Sequence, residues 1–121
     1  MRWLLHGNLT PAVADALRAR GDTPSTLEEA GIETSDLGEL LEQVNKKRLD
    51  VITTDQELAN APFGNGIGFG RSIVYLQLEG GDVEQDDAVS RLFARYKRLT
   101  PGRLYTVTGT RVKVRQLPGQ K

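Results

Sequence analysis

The chain has 121 residues, no cysteine and one histidine, and its formal charges sum to zero at pH 7. This length suits one domain over residues 1–121 with a single hydrophobic core. The lack of cysteine excludes disulfides and thiolate chemistry, and with only one histidine it also excludes the usual Cys/His zinc sites. No apolar stretch approaches the ~20 residues of a membrane span, so the composition predicts a cytoplasmic, bacterial-type protein without a membrane partner.

The balanced charge conceals an asymmetry along the chain. All 16 acidic residues lie in residues 1–87, which carry a net charge of −9, while residues 88–121 carry +9 and no acidic residue. A helix predicted over residues 82–99 accounts for part of this, because acidic residues favour the first turn of a helix and basic residues the last. The bases beyond that helix could contact phosphate or an acidic partner, and they are Arg103, Arg111, Lys113, Arg115 and Lys121.

Strands and helices are expected to alternate along most of the chain. Apolar runs and capping signals predict a strand ending at His6, then a helix from Pro11 that stops at Gly21. Residues 22–33 fit either an irregular strand or a helical turn, and both interpretations stay open. The later elements are a helix at 37–48 capped by Asp36, a strand at 50–53, a helix at 55–61, a strand at 71–78, the helix at 82–99, and strands at 103–108 and 111–115.

The last strand alternates apolar and basic residues, which predicts Val112 and Val114 inward and the bases outward. The outward row comprises Arg111, Lys113 and Arg115. Such a row could contact RNA phosphates, or it could protect an edge strand against aggregation.

Residues 63–70 contain a glycine at every second position from Gly64, which predicts an irregular and mobile loop. A phosphate-binding loop is the alternative interpretation. The dinucleotide pattern, however, follows a strand and opens a helix, whereas these glycines precede a strand.

Two of the predicted strands stop abruptly on polar residues. The first ends in His6-Gly7-Asn8 and the second in Thr53-Thr54-Asp55-Gln56-Glu57. If both strands are parallel members of one sheet, these residues meet in the crevice at the carboxyl ends, where α/β folds place their sites. We therefore expect a mostly parallel sheet flanked by helices, with one crevice surrounded by His6, Asn8, Asp36 and Asp55.

Three motifs occur in order along the chain, namely Leu4-Leu5-x-x-Asn8-Leu9-x-Pro11, Ser35-Asp36-x-x-Glu39-Leu40-Leu41 and Ile52-Thr53-x-Asp55-x-Glu57-Leu58. Their order and spacing resemble the PIN-like domains, most closely the short group of bacterial toxin-antitoxin toxins. The resemblance implies an α/β fold, a three-layer sandwich with a mostly parallel central sheet and a C-terminal β-hairpin. It also implies cleavage of RNA by a carboxylate cluster that holds Mg²⁺ or Mn²⁺, because a hard divalent ion prefers oxygen ligands.

The resemblance also implies a set of site residues. Asp55 matches the acid of the family's Thr-x-Asp pattern and Thr53 its threonine, and Glu57 stands where a second acid is frequent. Asp36 matches an acid before the central helix, and Asn8 matches the asparagine two positions after the family's first aspartate. The implied metal ligands are Asp55, Asp36 and Glu57; the implied catalytic residues are Asp55, Asp36 and His6; the supporting residues are Asn8 and Thr53.

His6 stands where the family has its first aspartate. An imidazole binds Mn²⁺ or Zn²⁺ but is a poor ligand for Mg²⁺, so this residue favours Mn²⁺ or Zn²⁺ over Mg²⁺, or no ion at all. His6 could instead pair with Asp55, either as a strand-end histidine or as a metal-free general base. Asp36 could serve only as a helix cap, and Glu57 only as a favourable charge at a helix start.

Two functions follow from these residues. The first is a metal-dependent endoribonuclease of toxin type, with the basic row of the last strand on the RNA phosphates. The second is a catalytically inactive PIN-like module that binds RNA or a protein partner while His6 blocks the ion. The partners that these functions imply are RNA, an antitoxin protein or a second copy of the chain.

Overall fold

The structure is a computed structural model that describes residues 1–65, 69–79 and 81–118. Within these residues the chain forms a mostly parallel six-stranded sheet and four helices, which confirms the predicted α/β class. In chain order the elements are β1 (Arg2–His6), α1 (Pro11–Ala19), β2 (Thr23–Ser25), α2 (Leu37–Lys46), β3 (Asp50–Thr53), α3 (Gln56–Asn65), β4 (Ile73–Leu76), α4 (Asp82–Arg95), β5 (Arg103–Val107) and β6 (Val112–Gln116). None of the described helices is both long and apolar enough to cross a membrane.

The strands lie in the order β2-β1-β3-β4-β5-β6. Each neighbouring pair is parallel except β5 and β6, which run antiparallel. The chain passes from β1 to the edge strand β2 and then returns to place β3 on the other side of β1. This reversal creates a topological switch point between the carboxyl ends of β1 and β3, where open α/β sheets form their ligand crevices.

Helices cover both faces of the sheet. Trp3 and Ile52 face the core that α1 and α4 complete, whereas Leu4 and Val51 face the core that α2 and α3 complete. Successive strand residues point to opposite faces, so a strand covered on both sides must be apolar at nearly every position. All four residues of β3 are buried, which explains why the apolar run before Thr53 does not alternate.

Helix α3 is longer than the sequence predicts. It continues past Ala61 to Asn65 although Pro62 lies inside it. An internal proline removes a helical hydrogen bond at a cost of about 3 kcal/mol, and here the buried position of Pro62 beside Ala61 offsets that cost. The predicted loop at residues 63–70 is therefore wrong at its start, and its centre at 66–68 lies outside the described residues.

Residues 22–33 form the short strand β2 and then a turn. Pro24 lies within β2, where it is tolerated because an edge strand needs no amide donor on its outer side. In the turn, the Glu29 amide donates to Thr26 Oγ1 at 3.1 Å and the Thr26 amide donates to Glu29 Oε1 at 3.0 Å. This reciprocal pair is a capping box, a signal that the sequence contained.

Helix α4 ends at Arg95, short of the predicted end at residue 99. Tyr96 leaves the helical conformation, with φ −123° and ψ 89°, and its ring packs edge-on against Tyr105 of β5 at 5.4 Å between centroids. Packing of this aromatic pair thus decides where the helix stops, and helical periodicity in the sequence does not contain that information.

Candidate active centre and adjoining cleft

The carboxyl ends of β1 and β3 lie side by side, with His6 in register with Thr53. Nδ1 of His6 lies 2.9 Å from Oγ1 of Thr53, and the same hydroxyl accepts a hydrogen bond from the Asp55 amide at 2.9 Å. Thr53 is completely buried. Its hydroxyl therefore connects the polar residue that ends β1 with the acid that follows β3.

Burial lowers the pKa of His6 from its ordinary value of 6.5, and the negative charge of Asp55 opposes part of this shift. The half-buried ring is consequently neutral near pH 7. A neutral imidazole has one donor and one acceptor nitrogen, so the Thr53 hydroxyl donates to Nδ1 in one tautomer and accepts in the other. The ring interacts with Asp55 electrostatically, while its hydrogen bond goes to Thr53.

Asp55 directly precedes helix α3. Its Oδ1 accepts a hydrogen bond from the Glu57 amide at 2.9 Å, and its carbonyl accepts from the Ala59 amide at 3.2 Å. Asp55 is therefore a helix N-cap and a neighbour of His6 at the same time. Glu57 is exposed in the first turn, where the helix dipole favours a negative charge.

The loop after β1 is held tightly against the residue after β3. The Asn8 amide donates to Thr54 Oγ1 at 2.8 Å. Gly7 has a φ of +85°, and a Cβ atom at this position would lie 2.5 Å from Thr54 Oγ1. Only glycine accommodates both this positive φ and this close approach of Thr54, so Gly7 positions the backbone of Asn8. This role of Gly7 and Thr54 was not predicted from the sequence.

Helix α4 supplies a second anchor for the same loop. The buried Gln85 accepts a hydrogen bond from the Thr10 amide at 2.9 Å and donates one to the Asn8 carbonyl at 3.2 Å. Gln85 precedes Ala88, Val89 and Leu92 on the buried face of α4. A polar residue on an otherwise apolar helix face was the sequence signal that could have identified it.

Asp36 is the N-cap of α2, and its Oδ1 accepts from the Glu39 amide at 3.0 Å. This confirms its predicted role as a cap. Across residues 1–65, 69–79 and 81–118, no three His, Asp or Glu side chains are grouped so that they could hold a metal ion. The implied ligands Asp36, Asp55 and Glu57 are not gathered into such a group, and one imidazole beside one carboxylate does not fit the oxygen-rich coordination of Mg²⁺.

Two residues of the predicted basic row lie within β6, and the third precedes it. Lys113 lies opposite Thr106 and Arg115 opposite Leu104, so both are on the sheet face that carries α2 and α3. The guanidinium of Arg115 lies 3.9 Å from the ring centroid of Phe63 in α3. Arg111 precedes β6 and is exposed.

The apolar residues of β6 are on the other face of the sheet. Val112 packs against the core of α1 and α4, which confirms its inward orientation. Val114 lies on the same face opposite Tyr105, but it is 36% exposed. Val114 therefore points to the predicted face, and its exposure is consistent with the position of β6 at the edge of the sheet.

A cleft of about 430 Å³ lies between α3 and β6. Amides, hydroxyls and cations line much of it, from Gln56, Asn60, Tyr75, Gln77, Thr106, Lys113 and Arg115. Gln56 is the first residue of α3 and directly follows Asp55. One side of the cleft is therefore formed by the residue that follows Asp55, and the other side by the basic residues of β6.

The centre offers a neutral imidazole and a carboxylate, and the cleft offers donors, acceptors and positive charge. These groups suit a ligand that combines phosphates with hydrogen-bonding bases. Comparison of the chain with models of protein families, with curated proteins and with solved structures finds no match.

Proposed function

We propose that this chain is a PIN-like domain that binds single-stranded RNA along the cleft between α3 and β6. The observation that carries the proposal is the composition of this cleft, which has the cations Lys113 and Arg115 on one side and, on the other, the amide of Gln56, the residue that follows Asp55. The order of the three sequence motifs and the mostly parallel sheet support the PIN-like assignment. In this proposal the C-terminal hairpin, β5 and β6, is the arm that supplies positive charge.

The side chains of the cleft match the chemistry of an unpaired RNA strand. Lys113 of the cleft is exposed, as is Arg111 just before β6 and outside the cleft lining, and both would attract phosphates. The half-buried ring of Tyr75 offers a surface for base stacking. The amides of Gln56 and Asn60 are exposed on α3 and can hydrogen-bond to base edges, which are accessible in single strands.

A binding titration with a fluorescent single-stranded RNA tests the proposal. The double variant Arg111→Gln/Lys113→Gln should bind more weakly at low salt, and its salt dependence should flatten by up to about 0.7 in logarithmic slope per lost phosphate contact. The variant Tyr75→Ala should lose about 1–3 kcal/mol of binding through stacking, whereas Tyr75→Phe should retain it.

The matched control is Lys46→Gln/Lys47→Gln, which removes two exposed charges at the end of α2, outside the cleft lining. This control should leave the salt slope unchanged. If Arg111→Gln/Lys113→Gln remains folded and binds RNA like the original chain, the RNA proposal fails. The basic hairpin would then be assigned to a protein partner such as an antitoxin, or to protection of the sheet edge.

A metal-dependent endoribonuclease of toxin type is the second candidate. The observation in its favour is that Thr53 brings His6 and Asp55 together at the switch point, where α/β folds place their sites. The variant His6→Asp restores the carboxylate that PIN-like domains carry there. Calorimetric titration with Mg²⁺, Mn²⁺ and Zn²⁺, together with an RNA cleavage assay, separates the two candidates.

The binding module predicts weak or absent Mg²⁺ binding by the original chain, any measurable affinity being for Mn²⁺ or Zn²⁺. Recovery of Mg²⁺ binding and RNA cleavage in His6→Asp would indicate a centre silenced by the histidine. Cleavage by the original chain that disappears in Asp55→Asn would establish the nuclease instead. Asparagine is a good N-cap, so this variant keeps α3 intact and isolates the loss of charge.

A further inference from the structure

A second cleft, of about 370 Å³, opens at the amino ends of the strands, opposite the end at which His6 and Thr53 lie. Its lining includes Asp50 at the start of β3 and Ser72 just before β4, so it lies at the amino ends of these strands. Four cationic side chains also line it, and they are Arg20, Arg71, Lys97 and Arg98. Leu99 and Pro101 contribute apolar wall.

Arg71 is held at the base of this cleft by Asp50, but the hydrogen-bonding capacity of its guanidinium is only partly used. Asp50 is 1% exposed, and its Oδ2 accepts from Arg71 Nη2 at 3.1 Å while its Oδ1 accepts from the Ser72 amide at 2.9 Å. The Nε of Arg71 is buried and has no hydrogen-bond partner among the described residues. A guanidinium has five donors, and Asp50 occupies only one of its nitrogens.

Arg20 is fixed at the other side of the cleft. It pairs with Asp22 at 2.7 Å, donates to the Lys97 carbonyl at 3.1 Å and lies 3.5 Å from the ring centroid of Phe93. These contacts hold the segment after α4 in place. Lys97 and Arg98 in that segment are exposed, and neither has an ion-pair partner within the described parts of the chain.

The charges of this cleft are therefore not balanced. Asp50 pairs with Arg71, and Asp22 is shared by Arg20 and the amino group of Met1, so within the described parts of the chain Lys97 and Arg98 have no carboxylate partner. Cations on a concave surface focus a positive potential and attract anions. Because arginine presents a planar set of donors, it binds phosphate oxygens with defined geometry.

We propose that this second cleft binds a phosphomonoester, with the phosphate beside Arg71 and Arg98 and the organic part against Leu99 and Pro101. Its volume lies within the range of about 300–1,000 Å³ that is usual for small-molecule sites. A nucleoside monophosphate combines these two chemical parts. The site lies at the amino ends of the strands, and it shares no lining residue with the cleft between α3 and β6.

Titrations of the full chain with inorganic phosphate, uridine monophosphate and uridine test this site. Calorimetry should show saturable binding of the first two ligands and none of uridine. In ¹H–¹⁵N spectra, the phosphate-bearing ligands should shift the Arg71 Nε–H and Ser72 amide signals. Uridine monophosphate should bind more tightly than phosphate, because only the nucleotide contacts the apolar wall.

The variant Lys97→Gln/Arg98→Gln removes the unbalanced charges without disturbing the buried pair of Asp50 and Arg71. It should weaken the binding of uridine monophosphate by about tenfold or more, as expected for the loss of charge-assisted hydrogen bonds. The control Lys46→Gln/Lys47→Gln removes the same charge elsewhere and should bind as the original chain does.

Three results would overturn the assignment. The first is that neither phosphate nor uridine monophosphate binds at about 10 mM, a concentration that corresponds to a binding free energy of about 3 kcal/mol. The second is that both double variants weaken binding equally. The third is that uridine binds as tightly as its monophosphate. None of these results bears on the RNA proposal, because that proposal is tested by Arg111→Gln/Lys113→Gln, and neither of these residues lines the second cleft.

Discussion

Nδ1 of His6 and the buried hydroxyl of Thr53 lie 2.9 Å apart, so side chains as well as backbone join the carboxyl ends of β1 and β3. The same hydroxyl accepts the Asp55 amide, which sets the direction in which the chain enters α3. One threonine thus fixes the histidine ring and the start of the following helix.

The protonation of His6 should be measurable without interference, because this is the only histidine of the chain. Burial lowers its pKa from 6.5, so its NMR titration midpoint should lie below that of an unfolded peptide. The Asp55 charge opposes this shift. Asp55→Asn should therefore lower the midpoint further, and a midpoint above 6.5 in the original chain would contradict the assigned environment.

The same shift predicts how stability depends on pH. Below about pH 6.5 the unfolded chain binds a proton that the folded chain takes up only at lower pH, so the free energy of unfolding should fall as the pH decreases from 6.5. Above pH 6.5 the contribution of His6 is fully present and constant. Denaturant titrations at several pH values should show this slope in the original chain and a smaller slope in His6→Gln.

Replacing Thr53 by valine keeps the shape of the side chain and removes its hydroxyl. Two hydrogen-bonding groups, the Asp55 amide and the His6 ring, would lose their partner, and we expect a loss of about 1–3 kcal/mol in unfolding free energy. Thr53→Ser keeps the hydroxyl and should cost about 1 kcal/mol through the lost methyl group. Equal destabilisation by the two variants would show that the hydroxyl contributes little.

Gly7→Ala should be more damaging than Gly21→Ala, although both glycines have positive φ. At Gly21 a Cβ atom meets nothing within 4 Å, so alanine there should cost only about 1–2 kcal/mol of backbone strain. At Gly7 the Cβ would collide with Thr54 Oγ1 and add about 1–3 kcal/mol. Thermal unfolding of the two variants side by side measures the difference in destabilisation. The double variant Thr54→Ser/Gly7→Ala should be as unstable as Gly7→Ala, because serine retains the Oγ atom with which the Cβ collides.

Gln85→Met removes the amide group that links α4 to the loop after β1. The Thr10 amide and the Asn8 carbonyl would lose their buried partner, at an expected cost of about 1–3 kcal/mol. The exposed Gln56 is the control, and Gln56→Met should stay within about 0.5 kcal/mol. Faster hydrogen exchange at the Thr10 amide in Gln85→Met would locate the effect in this loop.

The strands and the capped starts of helices were predictable because each rests on local chemistry. Asp50–Thr53 was predicted to the residue, and Asp36 caps α2 as expected. The errors concern the ends of helices α3 and α4, which depend on packing against residues distant in the sequence. Pro62 remains helical because it is buried, and Tyr96 ends α4 because its ring packs on Tyr105.

The candidate centre shows the same division. The spacing of polar residues after two apolar runs placed His6 and Asp55 together, because parallel strands end at one edge. The sequence could not distinguish a carboxylate that caps a helix from one that binds an ion, since Asp36 and Asp55 suit both roles. Nor could it show that Thr53 would stand between His6 and Asp55, because this depends on strand register.

The two edge strands of the sheet, β2 and β6, differ in how well they could pair with a strand of another chain. At one end, β2 has three residues and Pro24 at its middle, so it offers little backbone for a further strand. At the other end, β6 is longer, and two copies meeting there in antiparallel fashion would bring Lys113 and Arg115 of each close to those of the other. Like charges across such a pairing repel, so self-association by extension of the sheet is disfavoured at both ends.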